Sequence, residues 1–379
     1  MSEPASLPEE RQRVPANGAR EDRVLFQVTA STLAQAVGWI RRALGWLTMG
    51  YVAGLLVLLL GLEWWGERNW LFSVLLYAPI QTSLLPLGLL TPACLLFRWR
   101  LILWQVVAAV ILVFGYMTFR WSSVPPVSAS ELKAVTFNIG ESNRLQLMSF
   151  LEAEKPDLIL LQDARSVGAS LAAKFPGMHT SDLGQFALLS KFPIQNAALV
   201  EGVTTQGQTV AARYEILFQG RTIAVYNVHL PTPRQQLSRF VGGRRVIGDL
   251  VGHGHREAAY GNYREWIQER MRLAQALAGT LAREKEPMIV GGDFNTPDHG
   301  YIYHLFAGKM TDAFAQAGRG WGLTFPGSTH NPISFFGPWL RIDYFFVGRG
   351  WRVTECRPEP GRKSQHKAVF ARFEPQPLS

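Results

Sequence analysis

The sequence predicts an α-helical transmembrane anchor joined to a domain of mixed strands and helices. Two observations carry this. Three long apolar stretches, residues 44–62, 70–97 and 101–119, contain no charged side chain. From residue 132 onward the pattern changes to short β-rich runs separated by turns and amphipathic stretches, as in an α/β or α+β domain. A mean hydropathy of +0.04 is high for a soluble enzyme, and the first third of the chain accounts for it.

Each apolar stretch reaches the roughly 20 residues that a helix needs to cross a bilayer. None shows the polar face of a soluble amphipathic helix. Trp64, Trp65, Trp70, Trp99 and Trp121 gather at the ends, where indole rings favour the membrane interface. Gly50 and Gly54 form a GxxxG pair suited to close helix packing. Pro79, Pro86 and Pro92 interrupt the middle stretch, which reads either as a span or as a re-entrant hairpin. Arg41 and Arg42 precede the first stretch, and Arg98 and Arg100 lie between the second and third. The positive-inside rule places these arginines in the cytoplasm, so three crossings leave the remainder outside it. The expected organisation is a cytoplasmic tail and juxtamembrane segment (1–43), three transmembrane helices (44–121), a linker (122–131) and a globular domain (132–379).

The 379-residue chain carries a formal charge of +9, which suits contact with either nucleic acid or an anionic membrane. Its cysteines, Cys94 and Cys356, are too few for a disulfide framework, and their spacing suggests no zinc site. Strands are expected over residues 133–139, 157–163, 221–229, 288–293, 340–347 and 367–373, with helices near 143–155 and 264–284. The way these strands end recurs. Asn138, Asp163, His229 and the Asp293–Asn295 pair close four of them, Asp343 lies within another, and His366 begins the last. Any one of these reads equally well as a turn, a cap or a satisfied buried polar group. Gathered at one sheet edge, carboxylate, amide and imidazole groups suit a hard cation and a phosphate.

The ordered set TFNIG, LLQDA, VYNVHL, GGDFN, RIDYFFV and SQH resembles the endonuclease/exonuclease/phosphatase superfamily, the DNase I-like hydrolases, over residues 132–373. The resemblance implies a four-layer α/β sandwich of two packed β-sheets flanked by helices, cleaving phosphoesters with Mg²⁺ or Mn²⁺. It implies that Asp293 orients or deprotonates water, that Asn295 and His229 contact the phosphate, and that Asp343 holds His366 as a second, cationic imidazole. Asn138 and Asp163 fall at metal-site positions, with Gln365 beside them. Two departures stand out: Asp163 replaces the usual Glu, and Gln365 replaces the usual Asp before the final histidine. Both weaken the expected grip on a cation.

Residues 239–266 lengthen the connection after His229 and carry Arg244 and Arg245, a candidate contact for anionic headgroups or an ordinary surface excursion. Residues 333–340 bring three aromatics close before Arg341, suited either to an interface or to the domain core. A phosphorylated membrane lipid is the expected substrate and the bilayer the expected partner. A tethered nuclease, with nucleic acid as its partner, and a catalytically impaired membrane binding or resistance protein are the alternatives. The arginine asymmetry predicts that a reporter active only outside the cytoplasm is active when fused after Ser379. Activity confined to a cytoplasmic reporter at that position would contradict three crossings.

Overall fold

The computed structural model describes residues 18–123, 130–140, 147–165, 167–233, 254–327, 337–361 and 364–377. It divides into two compact units: residues up to Ala53 with Pro86–Ala109, and Gly54–Leu85 with Val110–Ser379. The first helices are α1 (Gly18–Trp64), α2 (Trp70–Leu75), α3 (Leu84–Phe97) and α4 (Ile102–Val110).

In the first unit, one polar cluster ties three helices together. Gln105 Nε2 of α4 donates to Thr48 Oγ1 of α1 at 3.0 Å, and Cys94 Sγ of α3 lies 3.7 Å from the same hydroxyl. All three side chains are buried. Arg41 donates to the Phe97 carbonyl and Arg98 to the Arg41 carbonyl, so arginines from the two segments expected in the cytoplasm meet. Gly50 faces open space, with no atom near the position of an added Cβ.

The segments Ser31–Trp64 and Trp99–Tyr116 form helices long and apolar enough to cross a membrane, and Gln81–Phe97 is a shorter apolar helix. The middle stretch therefore departs from a continuous span over residues 70–97. Asn69 Oδ1 caps α2 by accepting from the Leu71 and Phe72 amides, and α2 stops after six residues. Pro79 then precedes a short 3₁₀ turn, Ile80–Ser83. Ser73 is buried and hydrogen-bonds the Tyr263 hydroxyl, so this piece belongs to the second compact unit. The five tryptophans expected at an interface are all exposed.

The second unit is the expected four-layer arrangement. Its strands are β1 (Leu132–Asn138), β2 (Leu158–Gln162), β3 (His179–Leu183), β4 (Phe186–Ser190), β5 (Ile194–Leu199) and β6 (Ala211–Phe218). They continue as β7 (Arg221–His229), β8 (Met288–Asp293), β9 (Thr311–Asp312), β10 (Asp343–Val347), β11 (Trp351–Pro358) and β12 (Val369–Pro375). One six-stranded sheet runs β9-β10-β8-β7-β6-β5, the other β11-β12-β1-β2-β4-β3. The period-2 alternation of each strand builds the layers. On β1, Leu132 and Ala134 enter the core between the sheets, while Val135 and Phe137 enter an outer core. That outer core takes Phe150 and Leu151 from α5 (Met148–Glu154) and Leu171 from α6 (Gly168–Ala172). On β7, Val225 faces inward, and Tyr226 and Val228 face α7 (Gly254–Ala282) and α8 (Tyr301–Ala307). Leu273, Leu277 and Leu281 recur every four residues on α7 and are buried there; each stabilises the fold by about 1.5–3 kcal/mol.

Helix α7 begins at Gly254, ten residues before the start expected from periodicity, and shortens the excursion after His229. Arg244 and Arg245 lie outside the described residues, as do residues 333–336 of the aromatic loop. The remainder of that loop places Trp339 in a small core with Leu340, Ile342, Tyr77 and Phe325.

A buried ion pair locks the end of β10's approach. Arg341 donates to both Asp312 carboxyl oxygens, at 3.0 and 2.7 Å, and to Asp298 at 3.3 Å. Asp312 also caps α9 (Ala313–Ala317) through the Phe314 and Ala315 amides. Burial alone would raise the Asp312 carboxyl, but the Arg341 charge and its hydrogen bonds outweigh this and hold it below the ordinary 3.8. A depressed pKa contributes stability that is present above 3.8 and lost as pH falls through the lower folded value. Asp312→Ala should cost about 3–5 kcal/mol, because it strands a buried guanidinium. Chemical denaturation at neutral pH checks this, and the deficit relative to the parent should shrink under acid. A neutral-pH loss below ~1 kcal/mol would show that Asp298 alone satisfies Arg341.

Candidate active site

Three neighbouring strand ends place three site residues in one row. His229 pairs with Asp293 across the parallel β7–β8 ladder, and Asp293 pairs with Asp343 across the antiparallel β8–β10 ladder. The two glycines before Asp293 permit this approach. A Cβ on Gly292, whose φ is +152°, would meet the Val228 carbonyl oxygen at 1.9 Å, and one on Gly291 would meet the Phe345 ring at 2.5 Å.

The facing sheet contributes Asn138 at the end of β1, whose Nδ2 donates to Asp293 Oδ2 at 3.0 Å. Its Oδ1 accepts from the Gly140 amide, which fixes which end of the amide faces the row. His366 precedes β12, and its Nδ1 lies 3.1 Å from Asp343 Oδ2. Nε2 of His229 and Nε2 of His366 each lie 3.8 Å from Asp293 Oδ2. Asp293 thus sits between two imidazoles, both aimed at the same oxygen. Asp343, Asp293 and His366 are buried. Burial pushes the Asp343 carboxyl upward; His366 opposes this and the nearby Asp293 charge reinforces it.

Side chains not anticipated from the sequence orient these groups. Gln185 Oε1 lies 2.7 Å from His229 Nδ1, while its Nε2 is committed to the Thr209 carbonyl. An oxygen acceptor there holds the proton on Nδ1 and leaves Nε2 facing the row. Thr324 Oγ1 accepts from the Ile342 and Asp343 amides. Beneath the site, Gln162 of β2 donates to Asn227 Oδ1 of β7 at 2.6 Å, so a polar bridge joins the two sheets. Gln162 adjoins Asp163, and Asn227 shares the face of His229 two residues on. Gln162 was legible only as a strand residue, since nothing local marks its partner in the other sheet.

The remaining expected residues are placed less centrally. Asp163 follows β2 with a left-handed φ of +50°, is exposed, and has Oδ1 3.6 Å from His229 Nδ1. Gln365 is exposed, and its carbonyl accepts from the Gly327 amide. Asn295 is buried behind Asp293; its Nδ2 donates to the Leu230 carbonyl and its amide donates to Asp293 Oδ1.

The donor chemistry fits a divalent cation. Asp293, Asp343 and His366 offer ligand atoms within 4.8 Å of one another. Asn138 adjoins Asp293, and Asp163 stands across His229 from it. Oxygen-rich sets of this kind suit Mg²⁺ or Mn²⁺.

A two-sheet sandwich with carboxylates and imidazoles along its strand ends fits the DNase I-like class. The chain belongs to the Endonuclease/Exonuclease/phosphatase family, whose model matches residues 135–366, more than half of its length. Members of that family hydrolyse phosphoester bonds, generally with divalent metals. A comparison with curated proteins finds no match. Among solved structures, the chain is similar to an endonuclease/exonuclease/phosphatase from Bacteroides vulgatus, at 18% identity over 65% of this chain and 99% of that one, with a TM-score of 0.44. It is also similar to the 3' phosphatase NExo from Neisseria bound to a product DNA hairpin, at 18% identity over 64% and 99% of the two chains, with a TM-score of 0.43. A third is the human Nocturnin catalytic domain with bound sulfate, at 15% identity over 65% and 95%, with a TM-score of 0.43.

Asp293→Asn should lower phosphoester turnover by about a hundredfold or more while preserving the fold, and His366→Ala should do likewise. Steady-state kinetics with circular dichroism on each variant checks this. Turnover within a few-fold of the parent in both would remove these residues from the chemistry.

Proposed function

We propose that this protein is a membrane-anchored, divalent-metal-dependent phosphoester hydrolase that acts outside the cytoplasm on a phosphorylated membrane lipid. One observation supports the lipid above other phosphoesters. Phe325 packs on His366 with ring centroids 4.9 Å apart, and Tyr77, from the apolar N-terminal part of the chain, packs against the same Trp339 core as Phe325. Gln81, at the start of the shorter apolar helix, donates to the Pro338 carbonyl at 3.4 Å. If the apolar segments are embedded, the short linker between Phe119 and Leu132 limits how far the domain can stand from the bilayer, and a tethered enzyme meets lipid at high local concentration.

The residues divide the work as follows. Asp293 takes the proton of the attacking water. With both ring nitrogens protonated, His229 and His366 donate from Nε2 to the phosphoryl oxygens, and His366 gives its Nε2 proton to the departing oxygen. Asp343 fixes the His366 ring, as Gln185 fixes that of His229. Asp163, with the carboxylates of the Asp293 row, would hold Mg²⁺ or Mn²⁺, which would supply charge neutralisation at the phosphate, while Asn138 holds Asp293 Oδ2 through its Nδ2. The arginines at residues 41, 42, 98 and 100 favour an extracytoplasmic site. Arg244 and Arg245 remain proposed headgroup contacts.

Full-length protein in liposomes, given lipid phosphoesters and single- and double-stranded DNA side by side with Mn²⁺, tests the reading. Lipid turnover abolished by EDTA is expected. Efficient DNA cleavage with no lipid turnover across a broad panel would replace the lipid with nucleic acid.

A further inference from the structure

The loop that follows Asp293 is held from outside the family match. Tyr77 lies between α2 and the Ile80–Ser83 turn, 58 residues before the matched region begins at 135. Its hydroxyl donates to the Asn295 carbonyl at 3.0 Å and accepts from Arg270 of α7. Arg270 is fully buried, and its NH2 donates to the Phe294 carbonyl at 3.1 Å and to the Asn295 carbonyl. Arg270 thus makes its hydrogen bonds, among the described residues, to two main-chain carbonyls and one hydroxyl.

These bonds act on a backbone that needs holding. Asn295 has φ +49°, a left-handed conformation that a non-glycine residue adopts at a cost. Its amide donates to Asp293 Oδ1 at 2.8 Å, so any rotation at Asn295 turns the Asp293 carboxylate. A second clamp lies further along the same loop. Glu67 is buried and accepts from Thr296 Oγ1 at 2.9 Å and from the Tyr301 amide at 2.7 Å. Gly300 leaves room for it: a Cβ there would meet Glu67 Oε2 at 2.6 Å.

We infer that Tyr77, acting with Arg270, is a positioning residue for the reaction: it holds the Asn295 carbonyl and through it the orientation of Asp293. This inference rests on the proposed role of Asp293. It makes the segment before the matched domain a working part of the site. Residues 132–379 alone would lack the hydroxyl that completes it.

The test uses full-length protein in detergent micelles, with bis(p-nitrophenyl) phosphate and Mn²⁺. Tyr77→Phe deletes only the hydroxyl. It should lower kcat by about tenfold or more while KM changes by less than about threefold, because misorientation of a reacting group falls on the chemical step. Arg270→Lys, which keeps the charge and loses the fork, should show the same split. Ser73→Ala loosens the same segment through Tyr263 without touching the loop, and should leave kcat at the parent value even if the melting temperature falls. Parent kcat in Tyr77→Phe, alongside an inactive Asp293→Asn, overturns the positioning role and leaves the proposed chemistry standing. An equal fall in Ser73→Ala overturns it too, by showing that any loosening suffices. Full turnover in Asp293→Asn overturns the chemistry on which both rest.

Discussion

The site depends on three strands meeting flush, with β8 pressed between β7 and β10 in one register. That register is what places His229, Asp293 and Asp343 side by side, and a slip of one residue would turn Asp293 to the opposite face of the sheet. Gly291 and Gly292 make the fit possible by removing side chains where the Phe345 ring and the Val228 carbonyl approach. The cost is a strand with two residues that pack nothing of their own. Isoleucine and valine before them, Ile289 and Val290, compensate by entering the inner and outer cores respectively.

Around this row the charges are arranged in two layers. The working groups converge on Asp293 Oδ2: an amide at 3.0 Å and two imidazoles at 3.8 Å. Behind them lie structural cations that do not face the row. Arg341 is spent on Asp312 and Asp298, and Arg270 on the carbonyls of Phe294 and Asn295. The histidines therefore face a carboxylate rather than competing cations, which suits a site that must accept both a phosphate and a divalent ion.

Much of this was readable in the sequence, and what was missed shares a physical reason. Strands β1, β2, β7 and β8 are apolar runs that close on or beside polar residues, β10 starts at Asp343 and β12 follows His366, and all six are strands in the structure. Strands β3 and β5 are largely exposed edge strands without clear apolar alternation, so they carried little signal. The catalytic candidates stood out because Asp, Asn and His are unusual at the ends of buried strands. Gln185, Thr324 and Arg270 did not, because each is ordinary in its own segment and gains its role from a partner far along the chain. The Tyr77 bond to Asn295 spans 218 positions. The middle apolar stretch stayed open between a span and a re-entrant hairpin for a related reason: composition alone does not distinguish lipid from protein as the burying medium. Ser73 and Tyr77 are buried or half-buried against protein.

The central claim is that this row of strand ends binds a divalent cation and a phosphate together. Anomalous diffraction from crystals of the full-length protein grown with Mn²⁺ and inorganic phosphate tests it most directly. The account predicts an Mn²⁺ peak within direct ligand distance of the carboxylates of the row, with phosphate between His229 and His366. Mn²⁺ bound only elsewhere on the molecule, with the row occupied by neither ion, would contradict it.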